Sequence, residues 1–218
     1  MSDAEPGDME ARIPIFPLET VLFPGMVLPL SVCEPHEREM IARCLDTNMP
    51  AGILLRYPEG TQQAGTLARV GCLARIRDYE RHPSGRHTVL ISGEDRFVVL
   101  DPYNAPCCDM ARVRVLHDTD DTTQEIPIVA TARGLLGSYL AQVLDLVGGT
   151  HDEVKVTEAP RELSYLIGMS LCCDEDARQH LLEVDAVSER LRLGCDLLRD
   201  ELSTLAEEPA EARDHRTW

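Results

Sequence analysis

The sequence is nearly without lysine: Lys155 is the sole one, and the other 20 of its 21 basic residues are arginines. A phosphate-binding Gly-Lys-Ser/Thr loop is excluded, because Lys155 stands between Val154 and Val156. A Schiff-base or Ser-Lys mechanism would have to rest on this one residue. Long apolar runs are missing as well. The longest charge-free apolar stretch, Thr20 to Cys33, is broken by Pro24, Gly25 and Pro29 and is too short to span a bilayer. Residues 1–12 carry Asp3, Glu5, Asp8 and Glu10 where a leader would have a basic start and an apolar core. The expected location is the cytoplasm. Positive charge is scarce overall: 38 acidic against 21 basic residues give a formal charge of −17. That balance repels nucleic-acid backbones and anionic lipid, so neither is expected as a partner.

The eight cysteines lack framework spacing and read as reduced thiols. Cys107-Cys108 and Cys172-Cys173 are adjacent pairs whose side chains point apart, unlike the C-x-x-C spacing that serves one tetrahedral zinc. Cys33, just ahead of a predicted helix and near His36, is better read as a packing residue than as a thiol nucleophile. His82 and His87, flanking Pro83-Ser84-Gly85, read as solvated turn residues. Neither G-x-S-x-G nor H-E-x-x-H occurs. No catalytic residue, metal site or cofactor is expected.

What is there divides by periodicity. From Arg12 to Leu116 the pattern is short and extended: Ile13–Leu18, Met26–Val32, Ala51–Tyr57, Leu67–Tyr79, His87–Ser92, Arg96–Leu100 and Ala111–Leu116 predict six or seven strands. Prolines in the first two favour sheet edges, a slip near Gly71 suggests a bulge, and Gly93 suggests a bend between strands. One helix, Glu34 to Asp46, opens on Pro35. His117 to Glu125 has no apolar residue and reads as a solvated acidic linker. Beyond it the period becomes 3.6. A wide stripe from Ile128 to Val147 predicts a helix of about twenty residues ended by Gly148-Gly149. A second helix starts at Pro160, a third runs from Glu175 to Glu183, and Asp185 caps a fourth carrying Val187, Leu191, Cys195, Leu198, Leu202 and Leu205. Four amphipathic helices with short joins predict a bundle. The expected organisation is α+β: a disordered start (1–11), a strand-rich part with one inserted helix (12–117), the linker (118–125), a four-helix bundle (126–206) and a frayed acidic tail (207–218).

Arg12 to Leu30, RIPIFPLETVLFPGMVLPL, resembles the opening of the Lon protease N-terminal, substrate-binding domain family. The resemblance continues through Glu34 and Met40. It resumes at Gly85-Arg86 and Gly93-Glu94-Asp95-Arg96-Phe97, and closes at Gln179-His180-Leu181-Leu182-Glu183 and Glu189-Arg190-Leu191. It implies a small PUA-like β-barrel followed by a helical bundle, in a stand-alone form without ATPase or protease domains. It also implies a non-catalytic module for unfolded segments or a partner polypeptide, working with a separate protease or chaperone. The family often has Arg-Tyr where this chain has His36-Glu37. Phe23-Pro24-Gly25-Met26 admits two readings: a turn packed inside, or an exposed apolar lip for polypeptide. On the second, the binding surface is Phe23, Pro24 and Met26 with the adjoining Glu34, His36 and Arg38. The rival functions are a thiol-dependent enzyme and, on the PUA-like analogy alone, an RNA binder using Arg69, Arg75, Arg77, Arg81 and Arg86.

Overall fold

Prolines inside an apolar run hold the backbone extended, and the first such run becomes the strand that joins both halves of a sheet. In a computed structural model describing residues 10–57, 63, 65–82, 87–101, 110–119, 126–148 and 156–207, the chain divides into two compact units, 1–117 and 118–218. Unit 1 contains β1 (Glu10–Leu18), β2 (Val27–Val32), α1 (Pro35–Thr47), β3 (Ala51–Leu55), β4 (Val70–Arg81), β5 (His87–Val99) and β6 (Met110–Leu116). Unit 2 contains α2 (Ile126–Leu146), α3 (Pro160–Ser170), α4 (Glu175–Glu183) and α5 (Val187–Glu207). The turn at 83–85, Cys107-Cys108, Lys155, most of the acidic linker and the tail from residue 208 lie outside the described residues.

The sheet runs β2-β5-β4-β3-β1-β6, and β6 also pairs with β5, so its ladders form a closed circuit. β1 lies between β3 and β6 in the strand order, yet neither half of it is laddered on both sides. It changes partner midway: Glu10–Pro14 pair antiparallel with β6, and Ile15–Leu18 pair parallel with β3. Each half is laddered on one side, which lets Pro14 and Pro17 sit in a buried strand without stranding a carbonyl partner. The pairing also starts at Glu10, ahead of the expected strand start at Ile13. His87–Ser92 and Arg96–Leu100, read as two strands, are one continuous β5 that passes through Gly93. The irregularities in β4 fall between Cys72 and Ala74 and between Ile76 and Asp78, just beyond Gly71.

The pleat sends alternate residues into two clusters. Phe16, Ile53, Cys72 and Ile91 pack with Met40, Ile41 and Cys44 of α1; Ile15, Leu54, Phe97 and Val113 form the second. α1 starts where Pro35 supplies a first-turn residue with no N–H to satisfy. The Glu37 carboxylate accepts from the backbone N–H groups of Cys33 and Glu34, both at 3.1 Å. The helix ends on Asn48 in the left-handed region.

In unit 2, α4 opens on Asp174, whose carboxylate accepts from the Ala177 N–H at 2.9 Å. α5 starts at Val187, one residue later than an Asp185 cap requires, and the Ala186 carbonyl accepts from Arg190 N–H. α2 packs on α5 and α3, but of its expected stripe only Ala132, Leu136 and Tyr139 are buried, and Val147, just past its end, is 52% exposed. A Cβ on Gly134 would meet nothing within 4 Å. Gly134→Ala is therefore expected to stabilise unit 2 by about 0.5–1 kcal/mol, read as a higher urea midpoint in helical circular dichroism. An unchanged or lower midpoint would contradict that open environment.

In the described part of the acidic linker His117 and Thr119 are exposed, but Asp118 is not solvated. Asp118 has a side chain only 4% exposed. It accepts from Arg190 Nη2 at 2.5 Å, Arg161 Nε at 2.6 Å and the Tyr165 hydroxyl at 2.8 Å. Arg190, fully buried, also donates to the Ser164 hydroxyl at 3.0 Å and the Val184 carbonyl at 2.6 Å, and its guanidinium lies 4.3 Å over the Tyr165 ring. Thr119 adds a backbone bridge to Ala186.

Candidate polypeptide-binding surface

Pro24 and Gly25 occupy the two central positions of a tight turn: Gly25 has φ of 85°, and the Met26 N–H donates to the Phe23 carbonyl at 3.0 Å. The turn docks on β5, where Gly25 N–H donates to the Gly93 carbonyl at 3.0 Å and Gly93 N–H to the Met26 carbonyl at 2.8 Å. Close approach is why residue 93 is glycine. A Cβ there would stand 2.1 Å from the Phe23 carbonyl oxygen.

This geometry corrects the exposed-lip expectation. Phe23 is 0% exposed and Pro24 is buried with it, so both position the turn from inside and neither presents area to a partner. Met26 is half-buried against the first core cluster, and Gly25 is exposed. Of the expected residues at the start of α1, Glu34 (its N-cap) and His36 are exposed and Arg38 is half-buried. Arg38 turns back on its own helix start, donating to the Cys33 carbonyl at 2.8 Å. Between turn and helix runs β2, with Leu28 and Leu30 packed on the core and Val27, Pro29 and Ser31 outward. Val27 is 55% exposed.

At the far end of this strand His87 is buried, not solvated as expected. Its Nδ1 shares a short hydrogen bond with the Tyr79 hydroxyl, and the two rings meet edge-on at 5.4 Å. Burial, then the charges of Arg38, Arg81 and His82, hold its pKa below the ordinary imidazole value. His82 pairs with the Thr88 hydroxyl at 2.8 Å. The supposed arginine face is largely taken up within the sheet: Arg75 Nε donates to Glu94 at 2.6 Å and Arg77 Nε to the Ser92 hydroxyl at 2.6 Å. The buried thiols move away from nucleophilic character, since burial raises Cys44, Cys72 and Cys195 and pushes Cys173 up to about 11. Among the described residues no group of three or more His, Cys, Asp or Glu side chains could hold a metal, and no helix is long and apolar enough to cross a membrane.

The family model described as the ATP-dependent protease La (LON) substrate-binding domain matches residues 12–200. The chain belongs to this family. Its relatives include Lon protease 2 of Herpetosiphon aurantiacus, 30% identical over 201 residues covering 89% of this chain and 24% of that protein. Lon protease of Roseiflexus castenholzii is 28% identical, covering 92% and 25%. The chain thus spans about a quarter of the length of the curated Lon proteases it matches. Two solved structures share the fold. The Lon N-terminal domain protein from Xanthomonas campestris has a TM-score of 0.63 at 23% identity, covering 91% of this chain and 99% of that one. The N-terminal domain of Mycobacterium avium complex Lon protease has a TM-score of 0.67 at 21% identity, covering 87% and 99%. The Lon substrate-binding fold here is a mixed α/β arrangement, with five helices and one sheet among the described residues. What is matched is the substrate-binding domain, not the ATPase or protease parts.

Proposed function

We propose that this chain recognises polypeptide without catalysing a reaction, capturing unfolded segments or an extended segment of one partner and supplying it to a protease. The match to the Lon substrate-binding domain over residues 12–200 carries this reading. The closed circuit of ladders supports taking unit 1 as a small barrel, and α2 to α5 as the bundle beside it in sequence. The capturing surface is Met26 with Glu34, His36 and Arg38, set at either end of β2. Arginines already held by Glu94 and Ser92 count against RNA as the ligand.

Capture of reduced, carboxamidomethylated lysozyme, an unfolded client that is basic and whose blocked thiols carry no charge, tests the reading. Glu34→Gln, which keeps an acceptor at the N-cap of α1, combined with His36→Ala alters exposed side chains, so the melting temperature should hold while capture weakens several-fold; Met26→Ser should weaken it further at a cost of about 1–2 kcal/mol in stability. Wild-type protein that fails to retain this client would end the proposal. Undiminished capture by all three substitutions would move the surface elsewhere.

A further inference from the structure

Among the described residues, β2 is laddered on one side only. Its register with β5 pairs Val27 with Ser92 through Val32 with His87, and the Met26 carbonyl faces Gly93. The alternation of an antiparallel ladder then turns the backbone groups of Leu28, Leu30 and Val32 toward β5 and those of Val27, Pro29 and Ser31 away from it. The outer edge so offers donors at Val27 and Ser31 and acceptors at Val27, Pro29 and Ser31. Pro29 falls where its missing N–H costs the sheet nothing. It also works against a second copy of β2, because antiparallel self-pairing centred on Pro29 would set two residues without donors opposite each other.

The charges around this edge lean acidic. Glu34 and Glu39 are exposed just beyond its end, and Asp78 and Glu80 are exposed across the sheet on β4. With Glu37 and Glu94 these make six acidic side chains against the four arginines Arg38, Arg75, Arg77 and Arg81, Arg75 and Arg77 sharing Glu94 at 2.6 and 4.0 Å, which leaves a modest excess of two negative charges. The chain as a whole carries −17, which steers cationic segments inward and slows acidic ones.

We propose that the outer edge of Val27–Ser31 takes an extended segment of a client polypeptide as an added strand, and that it selects segments in which apolar residues alternate with basic ones. This rests on the polypeptide-recognition reading and adds to it a place and a sequence class. Main-chain hydrogen bonds hold the segment, Val27 and Pro29 give it apolar contact, and the acidic surround discriminates by charge.

The probe is a short fluorescent peptide alternating valine or threonine with lysine, compared with its glutamate counterpart. The lysine peptide should bind about tenfold tighter or better at low salt, with the gap closing as salt rises. Ser31→Pro removes an outward donor that β5 does not use, so it should weaken the lysine peptide about tenfold at unchanged melting temperature. N-methylating alternate peptide amides should weaken binding similarly, whatever the variant's stability. Equal affinity for both peptides overturns the charge selection. Binding that survives both Ser31→Pro and N-methylation, or client capture without any peptide binding, overturns the edge while leaving polypeptide recognition standing. Failure of wild-type protein to capture the unfolded basic lysozyme client is the separate result that would remove the underlying reading.

Discussion

Asp118→Ala is expected to destabilise unit 2 by about 3–5 kcal/mol, because it leaves the buried Arg190 guanidinium without its counter-ion. The side chain of Arg190 is 0% exposed and that of Asp118 4%, so water cannot replace the lost partner. Asp118→Asn should fall between alanine and wild type, since it keeps an acceptor for Tyr165 but not the charge. The same site sets an acid limit. Burial pushes the Asp118 carboxyl up, but hydrogen bonds from Arg161, the Arg190 charge and bond, and the Tyr165 bond outweigh it and bring the carboxyl down to about 2 from an ordinary 3.8. A carboxylate whose folded pKa is depressed contributes stability that is complete above its unfolded value. The contribution, about 2 kcal/mol, is therefore present above pH 3.8 and lost as pH falls toward about 2. Urea unfolding of both variants, followed by helical circular dichroism between pH 7 and this range, checks both statements. A loss below about 1 kcal/mol for Asp118→Ala would mean the cluster is only an arrangement of surface charges.

Gly93→Ala should be the other costly change, at about 3 kcal/mol or more. The added methyl would meet the Phe23 carbonyl oxygen at 2.1 Å, its carbon at 2.9 Å and Cys72 Sγ at 3.1 Å. Backbone atoms cannot rotate aside as a side-chain end can, so the Phe23–Met26 turn must lift from β5 and give up the bonds at Gly25 and Met26. Because Met26 moves with the turn, client capture should fall along with the melting temperature. Gly134→Ala is the control with the opposite sign. A Gly93→Ala protein that melts within a degree or two of wild type would show that the turn has room the geometry denies it.

Local features were legible where one short stretch of chain decides them. Pro35 and Pro160 mark helix starts, Glu175 to Glu183 keeps its predicted bounds as α4, and Pro24-Gly25 forms the turn its two φ preferences require. What escaped depends on contacts distant in sequence. Asp118 looks like linker because a buried carboxylate and a solvated one have the same composition. The available signal lay elsewhere: Arg190 falls on the apolar stripe of α5 beside Val187, Leu191 and Gly194, and an arginine there needs a buried acid. β5 was divided in two because Gly93 reads as a bend, when its purpose is to admit a neighbouring carbonyl. The surface role given to Phe23 failed for a similar reason. An aromatic beside Pro-Gly looks exposed until the strand beneath the turn is known. Glu34, just ahead of α1, and His36, in its first turn, are both exposed.

The change of partner within β1 has a consequence for synthesis on the ribosome. Ile15–Leu18 can find β3 as soon as Leu55 has emerged, but Glu10–Pro14 must wait for β6, where Glu10 meets Arg114. The circuit is therefore closed by the first and last strands of unit 1, the most sequence-distant contact it makes, and such closures are slow. Until Leu116 clears the exit tunnel, the leading half of β1 has no ladder partner and the trailing half of β5 is laddered to β4 on one side only. A protein whose family serves protein turnover thus passes through its own synthesis with the kind of open strand that invites capture.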